Sequence, residues 1–478
     1  MPTNAKRYNE YRERLDAHGQ GHLLAFWGEL NKAQRARLLD DLDQVDFERC
    51  RPLIDTFVRN RPNFKMPGRV EPPVTFPAPP PGPEHRDRYR IAKELGAAAI
   101  RAGKVAAFTV AGGQGTRLGY DGPKGAFQIS PVRSACLFQL FAEQLLGAER
   151  RYGHRPRWYV MTSPANHDAT QEVFARNDYF NLPGEDVIFF PQGQMPAFLP
   201  DAKIALAEKH RLALGPDGHG GSLRALATSG ALDDMRDRGI EYISYFQVDN
   251  PLVHAIDPLF IGLHIECASE MSSKAVAKAH DLERVGNFCV ADGKLTVIEY
   301  SDLPEKLARQ KNPDGTRRFD AGSIAIHILA RAFVERLTAA GAPVQLPWHR
   351  AEKKLPVVDA AGKLKTPDQP NVIKLETFVF DAIPLANNPV VLFTPRAEEF
   401  SPVKNAEGTD SVVTARRDML LRAARWLEGC GCKVPRDAEG LPDLPLEISP
   451  AFALDIGDLR ERLVAPPELK PGQVLVLT

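Results

Sequence analysis

The sequence has little cysteine, no excess charge of either sign and no long apolar run, and each shortage removes a class of protein. Its six cysteines, Cys50, Cys136, Cys267, Cys289, Cys430 and Cys432, are too scattered over 478 residues for a disulfide scaffold. Cys430 and Cys432 are separated by one residue, tighter than the two-residue gap of a zinc knuckle, so reduced structural thiols are expected. The 61 Lys and Arg balance 61 Asp and Glu, which leaves no overall field to attract a polyanion. Nucleic acid and membrane are therefore not expected partners. No apolar stretch approaches the roughly 20 residues that span a bilayer, and MPTNAKRYNEYRERLDAHGQ has no apolar leader core, so the cytoplasm is the expected compartment.

What remains is a chain with 43% hydrophobic and 26% charged residues, long enough for several domains of roughly 100–200 residues. Residues 1–66 read as helical, with Leu38, Leu39 and Leu42 on one stripe and Asn31 with Gln34 as a capping box. The 40 prolines concentrate partly in Pro67–Pro83, which is expected to run extended as a linker. From about residue 104, β-branched and aromatic runs alternate with helical stretches: Val105–Val110, Trp158–Thr162, Val187–Phe190 and Tyr242–Val248. That alternation predicts an α/β fold with a mostly parallel sheet, whose strand carboxyl ends hold the ligand. Val390–Phe393, a helix near Thr414–Glu428 and an apolar tail ending at Leu477 mark a third region. The expected division is a helical region with its linker to residue 84, a catalytic domain over 85–383 and a carboxyl-terminal domain over 384–478.

The first strand runs into AGGQGTRLG and then GPKG, and six of the sixteen residues from Gly112 to Phe127 are glycine. Glycines there let backbone N–H groups approach a phosphate or base. Neither common phosphate loop is present. A dinucleotide fingerprint needs glycine where Leu118 stands, and no Gly-Lys is followed by Ser or Thr. Two cations, Arg117 and Lys124, occupy this small-residue segment instead, a combination suited to a triphosphate whose leaving end must be neutralised. Asp249 stands where the strand Tyr242–Val248 stops, a place for a carboxylate that holds Mg2+ or for one that caps the following turn. Gln192 ends another strand, and its amide complements the donor and acceptor edge of uracil.

VAGGQGTRLG with PKG resembles the signature loop of the eukaryotic-type UDP-sugar pyrophosphorylases, especially the UDP-N-acetylhexosamine branch. The resemblance continues through Phe189–Gln192, Gly215–Gly221, Tyr245–Asn250, Gly286 with Val297–Ser301, Phe378–Asp381 and Glu399–Asn405, in family order. It implies a Rossmann-like, GT-A-like nucleotidyltransferase sheet with flanking helices, a small helical amino-terminal region and an α+β carboxyl-terminal region. It also implies UTP and a sugar 1-phosphate as substrates, with Mg2+ as cofactor. The carry-over gives phosphate-directed roles to Arg117, Lys124 and Lys404 and nucleotide contacts to Gly112, Gly113, Gln192, Gly218 and Asp249, with Asp249 also on the metal. His219, Gly286, Glu299, Ser323, Phe378 and Phe380 would line the sugar.

The implied reaction forms UDP-N-acetylglucosamine and pyrophosphate from UTP and N-acetylglucosamine 1-phosphate. Two positions depart from the branch: His219 replaces a usual Asn, and Ser323 replaces the second Asn of Asn-Ala-Gly-Asn. A glucose 1-phosphate uridylyltransferase or a broad UDP-sugar enzyme is the alternative. A GT-A-like glycosyltransferase would need no cations for a triphosphate, and an inactive regulatory relative would have lost one of Arg117, Lys124, Asp249 or Lys404. Oligomeric state is not legible in the sequence.

Overall fold

The computed structural model describes residues 4–62, 65–339 and 346–478. Parts of the expected helical region, 1–3 and 63–64, lie outside the described residues. The chain forms two compact units. The larger comprises the described residues within Pro67–Pro191, Leu223–Val344 and Phe380–Thr478; the smaller comprises those within Met1–Met66, Gln192–Ser222 and Gln345–Val379. The expected boundaries at 84 and 383 do not coincide with this division. Sequence composition marks where a chain changes character, whereas compact units are set by which distant segments share a core.

The larger unit is built on a mixed sheet of eleven strands. Eight form its main path: β1 (Phe76–Pro77), β2 (Val105–Val110), β3 (Arg157–Thr162), β4 (Val187–Pro191), β5 (Tyr242–Gln247), β6 (Met271–Ala277), β7 (Ala321–Ala330) and β8 (Val390–Phe393). Their order is β1-β8-β6-β7-β5-β2-β3-β4. β5, β2, β3 and β4 run parallel to one another, as do β6, β8 and β1, while β7 is antiparallel to both neighbours. β2 is apolar apart from Thr109 because it is central, with helices such as Leu137–Tyr152 contributing to the core that covers it. The Trp158 indole N–H, fully buried, donates to Thr109 Oγ1 at 2.8 Å, which satisfies the polar atom that its large apolar ring brings inside.

The Pro67–Pro83 stretch is more than a linker. Val70–Glu71 pairs with Asn287–Ala291, and β1 pairs with β8. Proline tolerates this because β1 is an edge strand, where one side of the backbone has no ladder to serve. Likewise 384–478 is not set apart, since β8 lies inside the sheet path and the helix Val412–Gly429 belongs to the same unit. The carboxyl-terminal strands Leu446–Ile448 and Leu475–Leu477 pair in parallel, and buried Glu447 accepts from Arg133 Nε at 2.7 Å.

In the smaller unit the amino-terminal helices cover a layer of short strands. The capping box forms as expected, with Asn31 and Gln34 exchanging side-chain bonds at the start of Lys32–Asp43. Leu38, Leu39 and Leu42 pack in one core with Phe198, Ile204, Leu212, Ile373 and Leu375. Buried Gln20 bonds both ways with this layer, donating to Ala202 O at 3.1 Å and accepting from Ile204 N at 2.8 Å.

Candidate active site

Strand order reverses around β2 and β5, and their carboxyl ends open where an α/β sheet binds ligands. The two strands end level, Gln247 opposite Val110. Beyond β2 the glycine-rich loop doubles back: Gly115 N–H donates to Gly122 O at 2.9 Å and Lys124 N–H to Gly113 O at 3.1 Å. Lys124 therefore returns to the loop's start although it lies eleven residues further on than Gly113. Asn166 braces that start by donating to Ala111 O at 3.0 Å and Gly113 O at 3.3 Å. Beyond β5, Asp249 Oδ2 lies 3.7 Å from Lys124 Nζ. Val403 N–H donates to Asp249 O at 2.7 Å, which sets the backbone leading into the next residue, Lys404, beside the end of β5. Lys404 Nζ also stands 3.2 Å from Asp410. Arg117 sits on the short turn Thr116–Leu118, exposed, with no ion pair among the described residues.

Lys124 and Asp249, more than 120 residues apart, thus meet, and the backbone just before Lys404, more than 120 residues further on, joins Asp249. The side chains of Lys124 and Asp249 keep 17% and 16% of their surface exposed, so both stay open to a charged ligand. One carboxylate without a cluster of further ligands fits Mg2+, which takes one or two protein carboxylates and completes its shell with water and phosphate oxygens. Among the described residues no group of three or more His, Cys, Asp and Glu is arranged for a metal.

A second group in the larger unit contains Gly286, Glu299 and Ser323. Ser323 N–H donates to Gly286 O at 2.8 Å. A Cβ on Gly286 would lie 2.5 Å from Val297 Cγ1 and 3.5 Å from Glu299 Oε1, so only glycine leaves this space. Ser323 lies beside a bulge: the β6–β7 register shifts between Ser273 and Ala275, and Ala325 takes a positive φ of 54°. Phe380 is buried at the beginning of the turn Val379–Leu385.

Gly112 heads the glycine-rich loop of the larger unit, whereas Gln192, Gly218, His219 and Phe378 belong to the smaller one. Gln192, 7% exposed, follows β4. Gly218 has φ +85°, and a Cβ there would lie 2.3 Å from Thr377 O; backbone conformation and close approach both demand glycine. Thr377 N–H donates to Asp217 O and Gly220 N–H to Thr377 O, each at 2.8 Å. His219 stacks on Phe378 with centroids 5.1 Å apart, and His349 lies on Phe378 at 4.3 Å. Val379 N–H donates to His219 Nδ1 at 3.1 Å. Burial, with help from His349, pushes the His219 imidazole down to about 4. It is neutral at pH 7, with its proton assigned to Nε2 by the bond that Nδ1 accepts.

Sequence reading passed over Asn166, His349 and Asp217. The first two carry no local signal. Asp217 does, standing at the head of Asp-Gly-His-Gly-Gly. It is 5% exposed, its Oδ1 has no hydrogen-bond partner among the described residues, and burial pushes its carboxyl up to about 7.

A family described as UTP–glucose-1-phosphate uridylyltransferase matches residues 78–436. The chain belongs to that family. Within it, the chain is 38% identical over 454 residues to UDP-N-acetylhexosamine pyrophosphorylase-like protein 1 of Homo sapiens, covering 91% of this chain and 89% of the relative. It is 34% identical over 432 residues to the UDP-N-acetylglucosamine pyrophosphorylase of Saccharomyces cerevisiae, covering 87% and 90%. The crystal structure of the uridine diphosphate N-acetylglucosamine pyrophosphorylase from Trypanosoma brucei superposes with a TM-score of 0.78 at 26% identity, covering 100% of this chain and 99% of that one. The resemblance read from the glycine-rich loop and the fold class it implied are borne out.

Proposed function

We propose that this chain is a UTP-dependent uridylyltransferase that forms UDP-N-acetylglucosamine and pyrophosphate from UTP and N-acetylglucosamine 1-phosphate. The observation that carries the reading is the approach of Lys124 to Asp249, with the segment before Lys404 bonded to Asp249, at the strand switch point of a family member. The attacking group is a sugar-phosphate oxygen, already anionic at neutral pH, so no general base is needed. The work left to the protein is positioning and charge neutralisation.

Arg117, Lys124 and Lys404 take the phosphates in this reading, and their charges offset the repulsion between two approaching anions. Gln192 and Gly218 are assigned to the base, and the backbone groups of Gly112 and Gly113 to the nucleotide. Asp249 would hold Mg2+, which supplies further neutralisation of phosphate charge when bound. Gly286, Glu299, Ser323 and Phe380, with His219 and Phe378, are assigned to the sugar; neutral His219 can offer a hydrogen bond without a charge. Among the described residues no helix is long and apolar enough to cross a membrane, and we assign the reaction to the cytoplasm.

The test is incubation with UTP, Mg2+ and a panel of sugar 1-phosphates while pyrophosphate is measured. Pyrophosphate released in step with UDP-N-acetylglucosamine is expected, and no release with any sugar overturns the reading. Ser323 and His219 support a second reading, activity on glucose 1-phosphate. A wild-type preference for that sugar of about tenfold, or 1.4 kcal/mol, would promote it.

A further inference from the structure

Asn250 follows Asp249 and is 4% exposed. Its amide is used on both sides: Nδ2 donates to Glu399 O at 2.7 Å, and Oδ1 accepts from Ser401 N at 3.1 Å and Leu252 N at 3.3 Å. Together with the bond from Val403 N–H to Asp249 O, these contacts stitch segment 399–403 to the end of β5 immediately before Lys404. The segment is also anchored where it begins. Glu399, 3% exposed, pairs with Lys274 of β6, and the fully buried Lys274 Nζ lies 2.7 Å from Asp257 Oδ2. His254 Nδ1 stands 3.4 Å from Glu399 Oε1.

Burial opposes ionisation of Glu399, but the charge of Lys274, with the hydrogen bonds from Lys274 and His254, outweighs it and holds the carboxyl below its ordinary range. Lys274 is held above its own ordinary range, where two carboxylates outweigh burial. The ion pair is therefore intact. A buried ion pair contributes no more to stability than well-packed apolar residues would, yet it fixes geometry because neither partner can move without stranding a charge. What it fixes here is the segment leading to Lys404.

We propose that Asn250, backed by the buried Lys274–Glu399 pair, is a positioning residue that locks the Lys404 segment to the Asp249 strand end, so that cation and carboxylate address the same phosphates. This rests on the phosphate-directed roles proposed for Lys404 and Asp249. Asn250 itself touches no substrate in this scheme. Its removal should lower kcat by about 30-fold in Asn250→Ala, with KM for UTP and for the sugar phosphate within about 3-fold and the thermal transition retained.

A double-mutant cycle separates positioning from general loosening. Lys404→Ala alone should cause a large loss, and Asn250→Ala should add less than about 3-fold in that background, because the group it positions is gone. Where Asn250→Ala does not fold, Glu399→Gln keeps the carbonyl that Asn250 binds and weakens only the ion pair. It should lower kcat about 5-fold in wild type and leave Lys404→Ala unchanged. Losses that multiply, or a folded Asn250→Ala with kcat within 2-fold of wild type, overturn the proposal. An active wild type with multiplying losses sinks the positioning role alone, whereas a wild type that releases no pyrophosphate with any sugar phosphate sinks the functional reading beneath it.

Discussion

The residues assigned to the phosphates and those assigned to the base are held by opposite means. Lys124, Asp249, Lys404 and Arg117 stand on strand ends and loops with part of their charge in water, and their places follow from backbone bonds such as Lys124 N to Gly113 O and Val403 N to Asp249 O. Around Gln192 and Gly218 the groups are buried or half-buried, the His219 imidazole is neutral and the Asp217 carboxyl is pushed up to about 7, and they are placed by packing: Asp217 among glycines, His219 against Phe378. A cation that must meet phosphate keeps its hydration until the ligand arrives, because a dry isolated charge would be too costly. A base needs shape and a few fixed polar atoms, which a buried surface supplies.

If that contrast is correct, removing charge at the loop should damage turnover and spare folding. Arg117→Ala and Lys124→Ala are each expected to lower kcat by about 100-fold or more with little change in melting temperature. Near-normal turnover in either purified, folded variant would return that residue to a solvated role and break the comparison.

Asp217 should show the reverse, an effect on stability that depends on pH. Its folded-state pKa is raised from 3.8 to about 7, so the folded state binds the proton more tightly than the unfolded state. Stability contributed by this proton is complete below pH 4 and is lost as pH rises through 7. Asp217→Asn has no proton to lose, and its melting temperature should exceed the wild-type value by an amount that grows from pH 4 to 7 and then levels off. The size is about 2–4 kcal/mol. A difference that stays constant across pH 4 to 8 would remove Asp217 from this account.

Gln192→Glu sharpens the base side directly. The carboxylate loses the amide's donors and puts negative charge beside the base, and about a 10-fold loss of UTP affinity is expected, against a smaller effect on folding. Unchanged UTP binding by calorimetry would move base recognition elsewhere. The smallest effect concerns the sugar. Ser323 is shorter than the Asn usual in the branch, so some activity with glucose 1-phosphate is expected, and Ser323→Asn should shift the ratio of kcat/KM values towards N-acetylglucosamine 1-phosphate by about 3-fold. Steady-state kinetics with both sugars checks it; a shift in the other direction would separate Ser323 from acetamido selection.

Local chemistry made much of this legible in the sequence. β2 and β8 have the bounds their apolar runs predicted, and Asn31 with Gln34 starts a helix as the residue types require. The glycine-rich loop was readable because Gly119 and Gly122 take a positive φ and a Cβ on Gly115 or Gly125 would run into the Tyr120 or Phe138 ring, and Asp249 because a polar residue closes an apolar strand. Only the tertiary structure decided that Val70–Glu71 and Phe76–Pro77 join the sheet, that Gln192–Ser222 shares a core with the amino-terminal helices, and that Asn250 ties Asp249 to the segment before Lys404. Turns and strand patterns depend on sterics within a few residues, whereas an edge strand, a shared core or a buried amide acquires its partner only when segments far apart in the chain compete for the same surface.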